Sequence, residues 1–202
     1  SIIYDWNTVE ARSLITTKPV VLFDETLRDG IQSPSAIDPS TEDKMEMVRL
    51  ANQLGVRHTD IGLPGAGKRQ YDDVVTLAKM IFDEKLAIRP ACACRTVVKD
   101  IEPVVEISQK TGIEIEVMTF IGSSPIRQYA EEWDVSFIAK QSEAAISFAV
   151  KNGLPCTYVT EDTTRSRPDA LDQLFRMAVN TGAKGLCLCD TCGHATDNGV
   201  RN

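Results

Sequence analysis

The sequence predicts an α/β fold, a (β/α)8 TIM barrel present in part, and three observations predict it. Strand-like apolar runs start near residues 20, 58, 87, 113, 156 and 185, and each is followed by one stretch with helical spacing. Alternation of this kind calls for a parallel sheet with right-handed crossovers. Polar groups fall at the C-terminal ends of at least four of these strands: Arg28/Asp29, Asp60, Glu161/Asp162 and Asp190/Thr191. A site spread over many strand ends is what a barrel mouth requires, whereas an open doubly wound sheet gathers its site at one switch point. Six units in about 180 residues fall short of the roughly 250 of a whole barrel, so strands seven and eight are expected beyond Asn202.

Residues 1–18 read as an N-terminal extension with a short helix at best, and 19–202 as the partial barrel domain. The apolar run 20–23 reads as a short buried strand that stops in a tight polar turn holding Arg28, Asp29 and Gly30. Ser40 followed by Glu42 and Asp43 offers a helix N-cap with acids in the first turn, and Gly55 ends that helix. Strand two covers 58–62 and its helix 71–84; strand three covers 87–94 and its helix 97–110, stopping at Gly112. Strand four covers 113–119, and after a longer loop its helix runs over 136–151 to Gly153. Strand five covers 156–161 with a helix over 168–181, and strand six covers 185–190, with another helix due where the chain ends.

Hydrophobic residues at 43% and charged residues at 25% are ordinary for a globular protein. The net charge of −7, with no Lys/Arg cluster, excludes nucleic acid as the expected partner. No stretch approaches the ~20 apolar residues of a membrane span, and the first 18 residues lack a signal-peptide core. A cytoplasmic protein without membrane contact is therefore expected. Cys92/Cys94 and Cys187/Cys189 sit in apolar runs where alternate residues share a face, which suits buried free thiols. Cys187, Cys189 and Cys192 lack a matching fourth ligand for a structural zinc site. Gly62 to Arg69 nearly spells a phosphate-binding P-loop, but Arg69 stands where the metal-binding Ser/Thr should be, so the glycines read as a tight strand-to-helix loop.

A guanidinium beside a carboxylate at a strand end suits oxyanion chemistry around a metal. The run Leu27-Arg28-Asp29-Gly30-Ile31-Gln32 closely resembles the opening signature Leu-Arg-(Asp/Glu)-Gly-x-Gln of the 2-isopropylmalate synthase and homocitrate synthase family. That family belongs to the DRE-TIM metallolyases, which also include 3-hydroxy-3-methylglutaryl-CoA lyase. The resemblance continues along most of residues 20–202. Asp60-Ile61-Gly62 stands where relatives have Glu-Val-Gly, and Met118-Thr119-Phe120-Ile121 where they have His-Thr-Phe-Ile. Tyr158-Val159-Thr160-Glu161-Asp162 corresponds to Phe-Ser-x-Glu-Asp, and Asp190-Thr191-Cys192-Gly193-His194-Ala195-Thr196 to Asp-Thr-x-Gly-(Tyr/His)-Ala-Thr.

The resemblance implies an acyl-CoA C-acyltransferase that condenses acetyl-CoA with a 2-oxo acid and releases CoA, acting as a homodimer in amino-acid biosynthesis. It implies Arg28 and Glu161 as catalytic residues, with Gln32, Asp60, Met118, Val159 and Thr191 on the substrate. It implies Asp29 as a ligand of a divalent metal (zinc, magnesium or manganese), the remaining His-x-His ligands lying beyond Asn202. Asp60, one methylene shorter than its counterpart, reads equally as a support for Arg28 or as a plain buried acceptor. His194 reads equally as a loop hydrogen-bonder or a ligand, and His58, at the barrel bottom, as structural. Met118 and Val159 replace polar groups that face the acceptor in relatives, which favours an apolar 2-oxo acid. Two alternatives stay open: a lyase running the reverse C–C cleavage, and a non-catalytic binding protein on the same scaffold. A biotin-dependent carboxyltransferase is disfavoured because residues 156–161 hold no lysine.

Overall fold

The computed structural model describes residues 2–10, 19–34 and 37–202. Six parallel strands form an incomplete barrel: β1 (Phe23–Asp24), β2 (His58–Asp60), β3 (Arg89–Arg95), β4 (Glu116–Gly122), β5 (Cys156–Glu161) and β6 (Gly185–Leu188). They hydrogen-bond in sequence order from β1 to β6, each to the next. An open doubly wound sheet would reverse that order at a switch point; this sheet winds one way, as a barrel does.

Helices follow the strands: α1 (Thr41–Gln53), α2 (Lys68–Asp83), α3 (Val98–Thr111), α4 (Pro125–Glu131), α5 (Val135–Lys151), α6 (Pro168–Thr181) and α7 (Asp197–Arg201). Ser40 caps α1 in a full capping box with Asp43. Gly112 and Gly182 end α3 and α6 in the left-handed conformation that glycine adopts without a side-chain penalty. The helices cover the outer face of the sheet. Cys92, Cys94, Val117, Cys156 and Tyr158 point outward and join Leu77, Ile81, Ile101, Val104, Ile146 and Leu174 in one fully buried core. The inner face carries a smaller cluster of Ala91, Met118 and Val159, flanked by Phe23, Phe120, Cys187 and Cys189.

Three expectations are corrected. The run 20–23 is not a buried strand: Val20, Val21 and Leu22 are exposed, and pairing starts only at Phe23, opposite His58. Nothing in β2 lies beside the earlier residues. β4 starts at Glu116 rather than at 113, because its partner register begins at Ala91↔Glu116, and Ile115 packs into the outer core instead. The loop expected after β4 contains the short helix α4, started by a Ser124 cap and Pro125. The near-P-loop is a strand-to-helix turn, as read: Lys68 is exposed and pairs with Asp72 one helical turn on.

The extension expected over 1–18 lies partly outside the described residues, at Ser1 and 11–18. Its described part packs against the far end of the chain. The Trp6 indole N–H donates to the Ser166 carbonyl (3.0 Å), and Asn7 accepts from the Thr196 backbone N–H (2.8 Å).

Candidate active site

The turn after β1 folds tightly because its own backbone closes it. The N–H groups of Arg28 and Gly30 both donate to the Glu25 carbonyl, at 3.2 and 3.1 Å. Leu27 is buried beneath the turn, which leaves Arg28 over the C-terminal end of the sheet. Three carboxylates surround the guanidinium: Glu25 at 2.8 Å, Asp29 at 3.1 Å and Asp60 at 3.5 Å. Burial alone would disfavour the Arg28 charge, but these neighbours outweigh it and hold the group above its ordinary value.

Asp60 lies at the end of β2, fully buried under Arg28. One oxygen accepts the Gly62 N–H (2.9 Å), and the other has no hydrogen-bond partner beyond the nearby guanidinium. Burial first, and the Glu25 carboxylate second, push its pKa up to about 8. Glu25 is raised as well, chiefly by burial. Perturbed carboxyls around a fixed cation are a mark of functional sites.

Arg28 and Asp29 line a cavity of about 490 Å³ together with Gln32, Val159, Glu161 and Thr191, and with Leu63, Phe120, Cys189 and Asp190. The ends of β1, β5 and β6 thus converge on one space. The Thr191 hydroxyl accepts the Asp162 N–H (2.8 Å), which fixes its oxygen and leaves its O–H to donate. Asp190 holds the loop beyond β6 by accepting from the His194 N–H and the Thr164 hydroxyl. Glu161 sits between this cavity and a neighbouring one of about 430 Å³, where the Arg127 Nε approaches it to 4.0 Å.

Six of the eight residues singled out in the sequence line the cavity. Asp60 does not; it lies beneath Arg28. Met118 points into the barrel but sits in the inward cluster below, behind Val159 and Phe120. Glu25 escaped the sequence reading, although its spacing of three residues from Arg28 in a polar turn was an available signal. Cys189 lines the cavity where a buried thiol was expected. His58 lies at the opposite end, 2.8 Å from Glu116, in keeping with a structural role. His194 Nε2 faces Asp5 at 3.5 Å, on the N-terminal segment.

The described residues offer a metal ion little. No three His, Cys, Asp or Glu side chains converge on one point among them. Asp29 and Asp190 both present exposed carboxylates to the cavity, but one Asp29 oxygen is already beside Arg28 and the Asp190 oxygens accept from Thr164, His194 and Ala195.

The model of the HMGL-like family matches residues 19–202. The chain belongs to that family. Among its relatives, the HMGL-like chain is 32% identical over 178 residues to 2-isopropylmalate synthase of Nitratidesulfovibrio vulgaris, covering 86% of this chain and 33% of that protein. It is 29% identical over 181 residues to a homocitrate synthase of Methanocaldococcus jannaschii, covering 89% of this chain and 42% of that protein. The chain thus spans between a third and somewhat under half of the length of these relatives. HMG-CoA lyase of Bacillus subtilis shares the fold, with a TM-score of 0.68 at 21% identity over 88% of this chain and 60% of that one. The Brucella melitensis lyase does so at 0.66 and 17%, over 89% and 64%. Among the described residues, no helix is long and apolar enough to cross a membrane.

Proposed function

We propose that this HMGL-like barrel is part of an acetyl-CoA-dependent condensing enzyme of the 2-isopropylmalate synthase type. One observation carries the reading: Arg28, Asp29, Glu161 and Thr191, from three separate strand ends, line a single cavity. The names of the relatives, a 2-isopropylmalate synthase and a homocitrate synthase, support it.

In this reading the methyl carbon of acetyl-CoA adds to the ketone of a 2-oxo acid, and water then releases CoA from the thioester. Arg28, held by Glu25 and Asp60, donates hydrogen bonds to the oxygen that gains charge as the new C–C bond forms. A preorganised donor of this kind contributes about 10²–10³ in rate. Thr191 donates its O–H to the acceptor carboxylate, and Gln32 borders the same space. Glu161 carries protons to and from the reacting carbon, with the Arg127 Nε 4.0 Å from its carboxylate. A divalent ion would supply Lewis-acid polarisation of the ketone. Asp29 is the residue here that would hold it, with its other ligands outside the described residues.

Release of free CoA by the full-length protein tests the reading, using acetyl-CoA with 2-oxoisovalerate, pyruvate, phenylpyruvate and 2-oxoglutarate. CoA release that depends on one of these acids is expected. Cleavage of a 3-hydroxyacyl-CoA in its place would make the protein a lyase. No turnover with either, in a protein that still binds a 2-oxo acid, would make it a binding protein.

A further inference from the structure

We infer that Cys187 and Cys189 form an oxidisable dithiol in the wall of the mouth cavity, closed to a disulfide by hydrogen peroxide and reopened by a thiol reductant. Residues two apart on a strand share a face, and here that face is the interior. The two sulfurs lie 3.9 Å apart, both half-buried. Around them stand Phe23, Phe120 and Val159, and Cys189 itself lines the cavity, so a small neutral oxidant can reach the pair.

The other cysteines are placed differently. Cys92, Cys94 and Cys156 are buried on the outer face of the sheet among the helices, where burial pushes each thiol up and away from the reactive thiolate. Cys192 is exposed on the rim, and its sulfur accepts from the Arg165 guanidinium at 3.1 Å. Among the described residues, only in the β6 pair does one sulfur lie beside another, with Cys189 lining the cavity and Cys187 half-buried next to it. A hydrogen bond from Cys189 favours the Cys187 thiolate, which suits Cys187 as the attacking sulfur.

The chemistry balances with peroxide as oxidant. The Cys187 sulfur takes one peroxide oxygen, the O–O bond breaks and water leaves, giving a sulfenic acid. The Cys189 sulfur then attacks that sulfur, the S–O bond breaks and a second water leaves. Alternate strand residues lie about 6.6 Å apart at Cα, near the upper limit of about 6.8 Å that a disulfide spans. Closure therefore needs a small backbone shift. That shift falls on Cys189, one residue past the end of β6, and works against the hydrogen bonds of its N–H to the Thr160 carbonyl (3.3 Å) and Thr163 hydroxyl (3.0 Å) and of its carbonyl from the Thr163 N–H (3.0 Å).

The test does not depend on the proposed activity. The full-length Cys192→Ala variant is treated with dilute hydrogen peroxide, alkylated and cleaved after lysine and arginine. The peptide covering 185–201 should lose two hydrogens, regain them with dithiothreitol, and show no such loss when Cys187→Ala or Cys189→Ala is added. Phenylarsine oxide, a probe of paired thiols, should bind the Cys192→Ala protein one-to-one and fail to bind after peroxide; this measurement needs no substitution at the pair. A 185–201 peptide that stays reduced, or one that still loses two hydrogens without Cys187 or Cys189, overturns the proposal. So does the absence of arsenical binding.

Discussion

Asp60 and Glu116 are both inward-facing carboxylates, near opposite ends of the barrel, and burial acts on both. At Asp60 it wins. One oxygen has only a backbone N–H, the other has no hydrogen bond, and the carboxyl rises to about 8. At Glu116 it loses. His58 lies 2.8 Å from one oxygen, the Thr157 hydroxyl donates to the other, and together they hold the carboxyl below its ordinary value despite burial. The floor of the barrel thus gives one carboxylate two partners, whereas the mouth crowds three carboxylates around Arg28. A carboxylate with its own partners serves stability; crowded carboxyls with raised pKa values at the C-terminal strand ends are where barrels keep chemistry.

The comparison breaks if the mouth turns out to hold the fold. Arg28→Lys should keep the far-ultraviolet circular dichroism of the parent and lose about 10²–10³ in kcat, because an ammonium cannot reproduce the guanidinium fork. Near-parental turnover with a lowered melting temperature would make Arg28 structural and erase the distinction. Asp29→Ala should leave the fold equally intact and abolish divalent-metal binding in the full-length protein. Wild-type affinity by isothermal titration would remove Asp29 from a metal site.

Stability against pH sharpens the same contrast, because the two carboxylates carry opposite signs. Asp60 has a folded pKa above its unfolded value, so the native state binds the extra proton between about pH 4 and about pH 8. Its contribution is fully present below that window and is lost as pH rises through it. Asp60→Asn should flatten the decline and gain a few kcal/mol over the parent at pH 9, read from urea midpoints. Glu116 has a depressed folded pKa, so its contribution is present above the unfolded value and lost as pH falls through the folded one. Glu116→Gln should cost about 1–3 kcal/mol at neutral pH, and the deficit should shrink in acid while turnover stays near parental. A loss of turnover without a loss of stability in that variant would place chemistry at the floor.

Much of this was legible in the sequence, for physical reasons that can be named. Alternating strand and helix periods dictate the parallel barrel, and the polar strand ends dictate the side on which its site lies. Arg28, Asp29, Glu161 and Thr191 could be picked out because each stands in a recognisable run at a strand end. Glu25 was harder: its contact with Arg28 exists only once the turn closes, and an Arg-Asp neighbour draws the eye first. The seven residues of α4 are too few to show a period, although Ser124-Pro125 is a start signal by itself. The early start expected for β4 reflects Ile113 and Ile115, whose apolarity serves the helix layer rather than the ladder.

The smallest expected effect concerns the acceptor, and here the contrast runs between two depths of the mouth. Val159 lines the cavity, whereas Met118 lies in the cluster below it. A polar acceptor tail against the Val159 methyls would be desolvated without a partner, at about 1–3 kcal/mol for each unsatisfied group. An aliphatic tail would gain from the same contact. The full-length protein should therefore prefer 2-oxoisovalerate or phenylpyruvate to 2-oxoglutarate in kcat/KM. Val159→Ser restores a hydroxyl at the cavity wall and should narrow that preference about tenfold, roughly 1.4 kcal/mol. Met118→His adds a polar group one layer deeper, where Phe120 and Val159 stand between it and the cavity, and should move selectivity less while lowering stability more. If Met118→His shifts the preference further than Val159→Ser, the acceptor tail reaches into the lower cluster and the depth assigned to the cavity is too shallow. If 2-oxoglutarate is the best substrate of the parent, neither side chain contacts the acceptor tail.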